Sequence, residues 1–314
     1  MRILITGGFG FLGGRLAQHL HLAGHHVVLG SRKVTGKPDW LPQGEVVQTL
    51  WSDGSVLERI CAETDLVIHA SGMNAPECAA DPVAALDSNG LGTARLVYSA
   101  GRAGVKRFIY ISTAHVYGRP LQGVITEESC PRNLHPYATS HLAGENAVLS
   151  SSQRGYIEGV VLRLSNAYGA PVDKDVNCWM LLVNDLCRQA VQNGVIGLHT
   201  NGRQYRDFIT ISDVCRLVEH VCSTNFDTSN RFIMNAGSGI ATSVLEMAQL
   251  IQQRCACMLG YEPRIERPAD DGKENGELLN YQSDRLAQSG FVLENDRSRE
   301  LDMLLRFCQT LNTK

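Results

Sequence analysis

The 314-residue sequence has no C-x-x-C pair, no apolar run of membrane-spanning length, no long block of like charge and no internal repeat. Without C-x-x-C the ten cysteines suggest neither a zinc knuckle nor a redox pair. Cys255 and Cys257, the nearest two, are spaced poorly for a disulfide or a metal, so buried free thiols are expected. His19, His21, His25 and His26 crowd one stretch, but residues two apart on a helix face different sides, and no metal site is expected there. Lys and Arg number 29 against 32 Asp and Glu, a net charge of −3, which leaves no basic footprint for nucleic acid. The opening MRILITGG carries no basic n-region and no cleavage site, and nothing suggests a membrane partner, so a cytoplasmic, soluble globular enzyme is the expectation.

What is present is an alternation of short apolar runs with helical patterns, the mark of β-α units on a parallel sheet. RILITG reads as a strand, GFLGGRLAQHLHLAG as a helix closed by Gly24, and HVVLGS as a second strand. VVQTLW, DLVIHAS, RFIYIST and GVVLRLSNAYG read as four more strands. VLERICAE, residues 83–103 and Tyr137 to about Ser151 read as the intervening helices. Beyond about residue 169 the pattern loosens, and RPADDGKENGELLNY shows no strong periodicity. The expected architecture is α/β: a Rossmann-type doubly wound parallel sheet over residues 1–168. A smaller C-terminal substrate lobe would cover 169–314, with about 205–236 returning to the first domain. Ligands of such sheets bind beyond the carboxyl ends of the strands, so the loops after IYIST and GVVLRLS should line a cleft.

TGGFGFLG sets Gly7, Gly10 and Gly13 between the first strand and its helix. Glycines there permit a tight turn and close approach of a pyrophosphate to free N–H groups at the helix start. The second strand ends in LGSRK, where a reader of the ribose 2′-hydroxyl would be Asp or Glu. Ser31, Arg32 and Lys33 offer donors and positive charge instead, which favours NADP while leaving NAD possible. The alternative is that Arg32 and Lys33 only cap a surface loop.

With these residues in place, IYISTAHVYG and PYATSHLAGE together resemble the extended short-chain dehydrogenase/reductase family, in its nucleotide-sugar epimerase, dehydratase and reductase branch. The likeness runs through VIHAS, NGLGTARLV, LRLSNAYG, YRDFITISDV, FIMNAGSG and SDRLAQSGF, in order along nearly the whole chain. It implies cofactor contacts at Gly7, Gly10, Phe11, Leu12, Gly13, Ser31, Arg32, Lys33, Ala70, Ser71, Asn89, Tyr137 and His141. It implies that Thr113 binds the reacting sugar oxygen and that Tyr137 carries its proton. Asn166, Arg206 and Arg267 match positions that hold the diphosphate of a nucleotide sugar, and guanidinium forks suit that anion.

The sequence departs from the family at His141, where a lysine is usual. In the family that lysine binds the nicotinamide ribose and eases ionisation of the tyrosine; an imidazole is shorter and carries no fixed charge. Three readings stay open. A protonated or donor His141 sustains reduced activity, helped by the charge of the oxidised nicotinamide; a nearby cation or ordered water replaces the lysine; or the protein is a catalytically silent NADP(H) or nucleotide-sugar binder acting as sensor or scaffold. Ala114 and His115 stand where sugar dehydratases of the family carry an Asp-Glu pair, which disfavours dehydration. An epimerase or a ketoreductase remains, with VYG and RDFI leaning to the first and LGSRK to the second. The resemblance also implies a homodimer through helices 83–103 and 137–151.

Overall fold

A computed structural model describes residues 1–33, 36–224, 232–269 and 278–311. Residues 270–277 of RPADDGKENGELLNY lie outside the described residues. The central sheet has seven strands, all parallel, in the spatial order Glu45–Gln48, His26–Ser31, Arg2–Thr6, Leu66–His69, Arg107–Thr113, Glu158–Leu164 and Phe232–Ala236. Parallel strands covered on both faces read as continuous apolar runs, and RILIT and LVIH are such runs.

Successive side chains of a strand point to opposite faces, and the first strand shows it. Ile3 and Ile5 join a core with Leu16 and Leu20 of helix Phe11–Leu22 and with Val214 and Val218 of helix Ile211–Ser223. Leu4 instead joins Leu57, Val97 and Val148 from helices Gly54–Cys61, Gly92–Arg102 and Pro136–Gln153. Helices therefore cover both faces, which is the doubly wound arrangement. A separate core gathers Val183, Leu186, Phe208, Met247, Ile251, Leu301 and Leu304, largely from helices Leu182–Asn193, Val244–Leu259 and Arg297–Thr310. Helix Val244–Leu259 starts on a capping box between Ser243 and Glu246.

Three elements differ from the sequence pattern. The run 83–103 is broken: helix Pro82–Ala85 passes into a π-helical turn at Leu86–Leu91 before Gly92–Arg102 resumes. The π turn carries Asn89, whose buried amide braces neighbouring segments, and periodicity alone does not register one inserted residue. VVQTLW is a strand only over Glu45–Gln48. GVVLRLSNAYG splits after Leu164, and Asn166–Tyr168 leaves the main sheet to pair with Tyr205–Thr210 in a small three-stranded sheet.

Some sequence features have plain structural roles. His19 bonds Glu219 at 2.6 Å and His21 bonds Gln43 at 2.7 Å. All ten cysteines are free thiols, with Cys130 and Cys257 exposed. No helix among the described residues is long and apolar enough to cross a membrane.

Candidate active site

From Arg2–Thr6 the chain builds outward through His26–Ser31, then crosses to the other side of the first strand at Leu66–His69. That reversal opens a crevice at the carboxyl ends of the two strands. Gly7 sits there at φ +71, and a Cβ on it would stand 2.8 Å from the Ala70 carbonyl oxygen. A Cβ on Gly13 would stand 2.1 Å from the Gly7 oxygen, so neither position accepts a side chain. Gly10 caps helix Phe11–Leu22 without any side-chain cap, and the first turn holds no acidic residue. The N–H groups of Phe11, Leu12 and Gly13 precede the first intrahelical bond, from Gly14 to the Gly10 carbonyl at 2.9 Å. An uncapped helix start with a bare glycine cradle fits a pyrophosphate. Nearby, Ala70 donates its N–H to the Thr6 carbonyl at 3.2 Å, placing Ala70 and Ser71 on the crevice wall.

At the end of the second strand the Ser31 hydroxyl accepts the Lys33 N–H at 3.2 Å, and the Arg32 carbonyl accepts from Gln48 at 3.4 Å. Both basic side chains are exposed. Asn89, by contrast, is buried with its amide committed to protein: Oδ1 accepts the Met73 N–H at 2.7 Å and Nδ2 donates to Ser140 at 3.0 Å. It ties the loop after the fourth strand to helix Pro136–Gln153.

That helix carries Tyr137 and His141. Pro136 occupies its first turn, and the His135 ring accepts the Tyr137 N–H at 3.2 Å. Tyr137 and His141 meet edge to face with ring centroids 4.5 Å apart. Burial pushes the Tyr137 phenol up to about 12, while a hydrogen bond from the Thr113 side chain pulls the other way. Thr113 is free to donate that bond because its oxygen already accepts the His115 N–H at 3.1 Å. Burial pushes His141 down to about 4, which favours a neutral ring near pH 7. Its Nδ1 lies 2.9 Å from the Tyr110 hydroxyl.

One turn further along, Glu145 is fully buried and holds Arg163, with Nη2 to Oε2 at 2.5 Å and Nε to Oε1 at 3.0 Å. Ser112 also donates to this carboxylate at 2.5 Å. The guanidinium lies 4.7 Å from the Tyr117 ring centroid. The Tyr117 hydroxyl donates to Asn235 at 2.8 Å, so strand, helix and edge strand are locked in one polar layer. Tyr110, Glu145 and Arg163 escape sequence reasoning. A tyrosine on a core strand and a glycine opposite it at Gly144 are the available signals.

On the small sheet, Asn166 donates to the Asp207 carbonyl at 2.8 Å and pairs in register with Phe208. Arg206 lies on the same small sheet and has no carboxylate partner among the described residues. Burial and then the Arg119 guanidinium hold its pKa below the usual arginine value. His115, two residues past Thr113, feels both arginines: burial first, then Arg206 and Arg119, push it down to about 4. Its Nδ1 is buried without a partner. Arg206 therefore stands on the Thr113 side of the crevice. Arg267 is exposed and donates to the Asn201 carbonyl at 2.7 Å, in the loop leading to the Arg206 strand.

Known proteins are similar to this chain in sequence and fold. A family model described as the NAD dependent epimerase/dehydratase family matches residues 3–237. A UDP-glucose 4-epimerase of Neisseria meningitidis serogroup C is 28% identical over 300 residues, covering 86% of this chain and 87% of the relative. Among solved structures, an NAD-dependent NDP-hexosamine 5,6-dehydratase of tunicamycin biosynthesis is 25% identical with a TM-score of 0.78, covering 98% of each chain. The UDP-glucose 4-epimerase of Thermus thermophilus in complex with NAD superposes with a TM-score of 0.80 at 22% identity, over 98% of this chain and 99% of that one, which speaks to the fold. With the glycine cradle, the seven-stranded sheet and a family match through most of its length, the chain belongs to the NAD-dependent epimerase/dehydratase family.

Proposed function

We propose that this protein is an NAD(P)-dependent nucleotide-sugar epimerase that works by hydride transfer at a sugar carbon, with Tyr137 as the proton carrier. The observation that carries the reading is Tyr137 held against Thr113 at the mouth of a crevice whose other wall is an uncapped, side-chain-free dinucleotide cradle. Several relatives are UDP-glucose 4-epimerases, which supports epimerisation over net reduction.

Bound nicotinamide would supply the acceptor, and then the donor, of hydride. Thr113 orients the sugar hydroxyl while Tyr137, as phenolate, takes its proton when the carbon loses hydride to give a ketone. After the sugar turns its other face, hydride returns to the carbon and Tyr137 gives the proton back. Nothing is consumed. The half-buried Arg206, with no carboxylate partner among the described residues, supports a diphosphate site there, completed by Asn166 and Arg267. Exposed Arg32 and Lys33 after the second strand support tighter binding of NADP(H) than NAD(H), although the Thermus structure holds NAD. Val83, Leu86, Leu91 and Tyr98 are exposed along the run from Pro82 to Arg102, which supports a homodimer through that face and helix Pro136–Gln153. Ten unpaired cysteines accord with a reducing cytoplasm.

The test is incubation with UDP-glucose and related UDP- or dTDP-sugars, with chromatography of the sugar nucleotide. The expected result is a 4-epimer formed without consumption of reduced cofactor. Stoichiometric NADPH oxidation would make the protein a ketoreductase, and binding without turnover would make it a silent binder. UDP-glucose should also raise the melting temperature more than free glucose does, and Arg206→Ala and Arg267→Ala should each lessen that rise. Equal protection by free glucose would remove the diphosphate site.

A further inference from the structure

Tyr110 lies midway along the core strand Arg107–Thr113, every residue of which is buried. The room for its hydroxyl comes from Gly144 on the overlying helix, since a Cβ there would stand 2.7 Å from the Tyr110 oxygen. Both Tyr110 and His141 are buried, and the bond between them leaves one question: which of the two supplies the proton?

The neighbouring bonds answer it. Thr93 donates its hydroxyl proton to the Asn89 carbonyl at 2.6 Å, so its oxygen receives the Nε2–H of His69 at 2.9 Å. His69 Nδ1 is then bare and accepts from the Thr6 hydroxyl at 2.6 Å. The Tyr110 hydroxyl also lies against Thr93, whose oxygen keeps a second lone pair, but a neutral imidazole nitrogen is a stronger base than a hydroxyl. The phenol proton of Tyr110 therefore goes to His141 Nδ1. The reverse arrangement, with Nδ1–H donating to the phenol oxygen, would leave the phenol proton without that strong acceptor in a buried layer.

His141 Nε2 then carries the ring's proton. It has no protein partner among the described residues and is not sealed from solvent. The adjacent ring carbon, Cε1, faces Gly72, 3.8 Å from where a Cβ would stand, and Gly72 follows the crevice-wall residues Ala70 and Ser71. Tyr137 packs against the same ring.

We propose that Tyr110 is a positioning residue whose hydroxyl fixes neutral His141 in its Nε2–H form, so that Nε2–H donates to a ribose hydroxyl of the bound dinucleotide beside Tyr137. This rests on the dinucleotide-binding reading above. The pair supplies a lysine's hydrogen bond without a lysine's charge. Burial of His141, which favours the neutral ring, keeps this donor constant through the neutral range.

The experiment is nitrogen NMR of the full chain labelled at histidine, with His141→Gln to assign the ring, alongside titration with NADP(H) and NAD(H). The wild type should show an unprotonated Nδ1 and a protonated Nε2 at neutral pH. In Tyr110→Phe the two tautomers should mix and dinucleotide affinity should fall roughly tenfold, the worth of one hydrogen bond. Gly144→Ala, which displaces the hydroxyl without removing it, should do the same. A protonated Nδ1 in wild type, or a Tyr110→Phe protein that keeps both the Nε2–H signal and wild-type affinity, overturns the proposal. The two readings fail separately: an Nε2–H ring in a protein that binds no dinucleotide refutes the ribose contact and the enzyme assignment together, whereas tight binding with the wrong tautomer refutes Tyr110's role alone.

Discussion

Helix Pro136–Gln153 carries two polar layers of opposite electrostatic character. At Glu145 the helix buries a full ion pair with Arg163, bonded further by Ser112. One turn earlier, His141 meets Tyr110 and Tyr137 in a layer with no formal charge near pH 7. The chain can therefore bury a cation against this helix where the helix supplies a carboxylate to compensate it, and at position 141 the helix supplies no charge. The first layer fastens helix to sheet. The second would leave the proposed proton transfer to be driven by what binds.

The widest separation between the layers should appear with Tyr137→Phe. Turnover should fall by about 10²–10⁴-fold, while urea-induced unfolding shifts by no more than about 1 kcal/mol, the worth of one hydrogen bond, and dinucleotide affinity is nearly unchanged. Full turnover in this variant would end the assignment of Tyr137 as proton carrier. Glu145→Ala should do the opposite. It strands the Arg163 charge at 3% side-chain exposure and should cost about 3–5 kcal/mol of stability in the same melt. If stability is unchanged, the anchoring role is wrong.

Acid should sharpen the contrast. His69 and His141 are pushed down to about 3 and about 4 by burial, from the ordinary value of 6.5. Between those values and 6.5 the unfolded chain binds protons that the folded chain refuses, so stability is full above pH 6.5 and declines as pH falls towards 4. A histidine pKa lowered by one on folding corresponds to roughly 1.4 kcal/mol, and His141→Gln should flatten the decline measured by melts across pH. The smallest effect lies outside both layers. Arg32→Ala should weaken NADP(H) about tenfold, as loss of a charge-assisted bond does, with NAD(H) titrations unchanged; equal curves for the two cofactors in wild type would remove the NADP preference.

The glycine cradle and the parallel sheet were legible in the sequence because both are local: TGGFGFLG sits between one strand and one helix, and buried parallel strands announce themselves as apolar runs. The Tyr137–Thr113 pairing was legible only through the order of motifs along the chain. The Glu145–Arg163 pair was not, since two charges far apart in sequence carry no sign that they will meet. Asn89 shows another limit. Its amide bonds Met73 and Ser140 from a π turn, a bracing role that the apolar periodicity of the run does not announce. Tyr110 reads as one more apolar strand position until Gly144 is seen to lie over its hydroxyl.

The most direct test of the proposed uncharged proton-transfer layer is the pH dependence of turnover on a UDP-sugar, wild type against His141→Lys. With no protein cation beside Tyr137 among the described residues, wild-type turnover should climb with pH through the neutral range. A lysine at position 141 should move that rising limb down by about one pH unit or more, as a neighbouring opposite charge does for a phenolate. Superimposable profiles would contradict it, showing that Tyr137 in the wild type already works beside a positive charge, or that its ionisation does not limit the reaction.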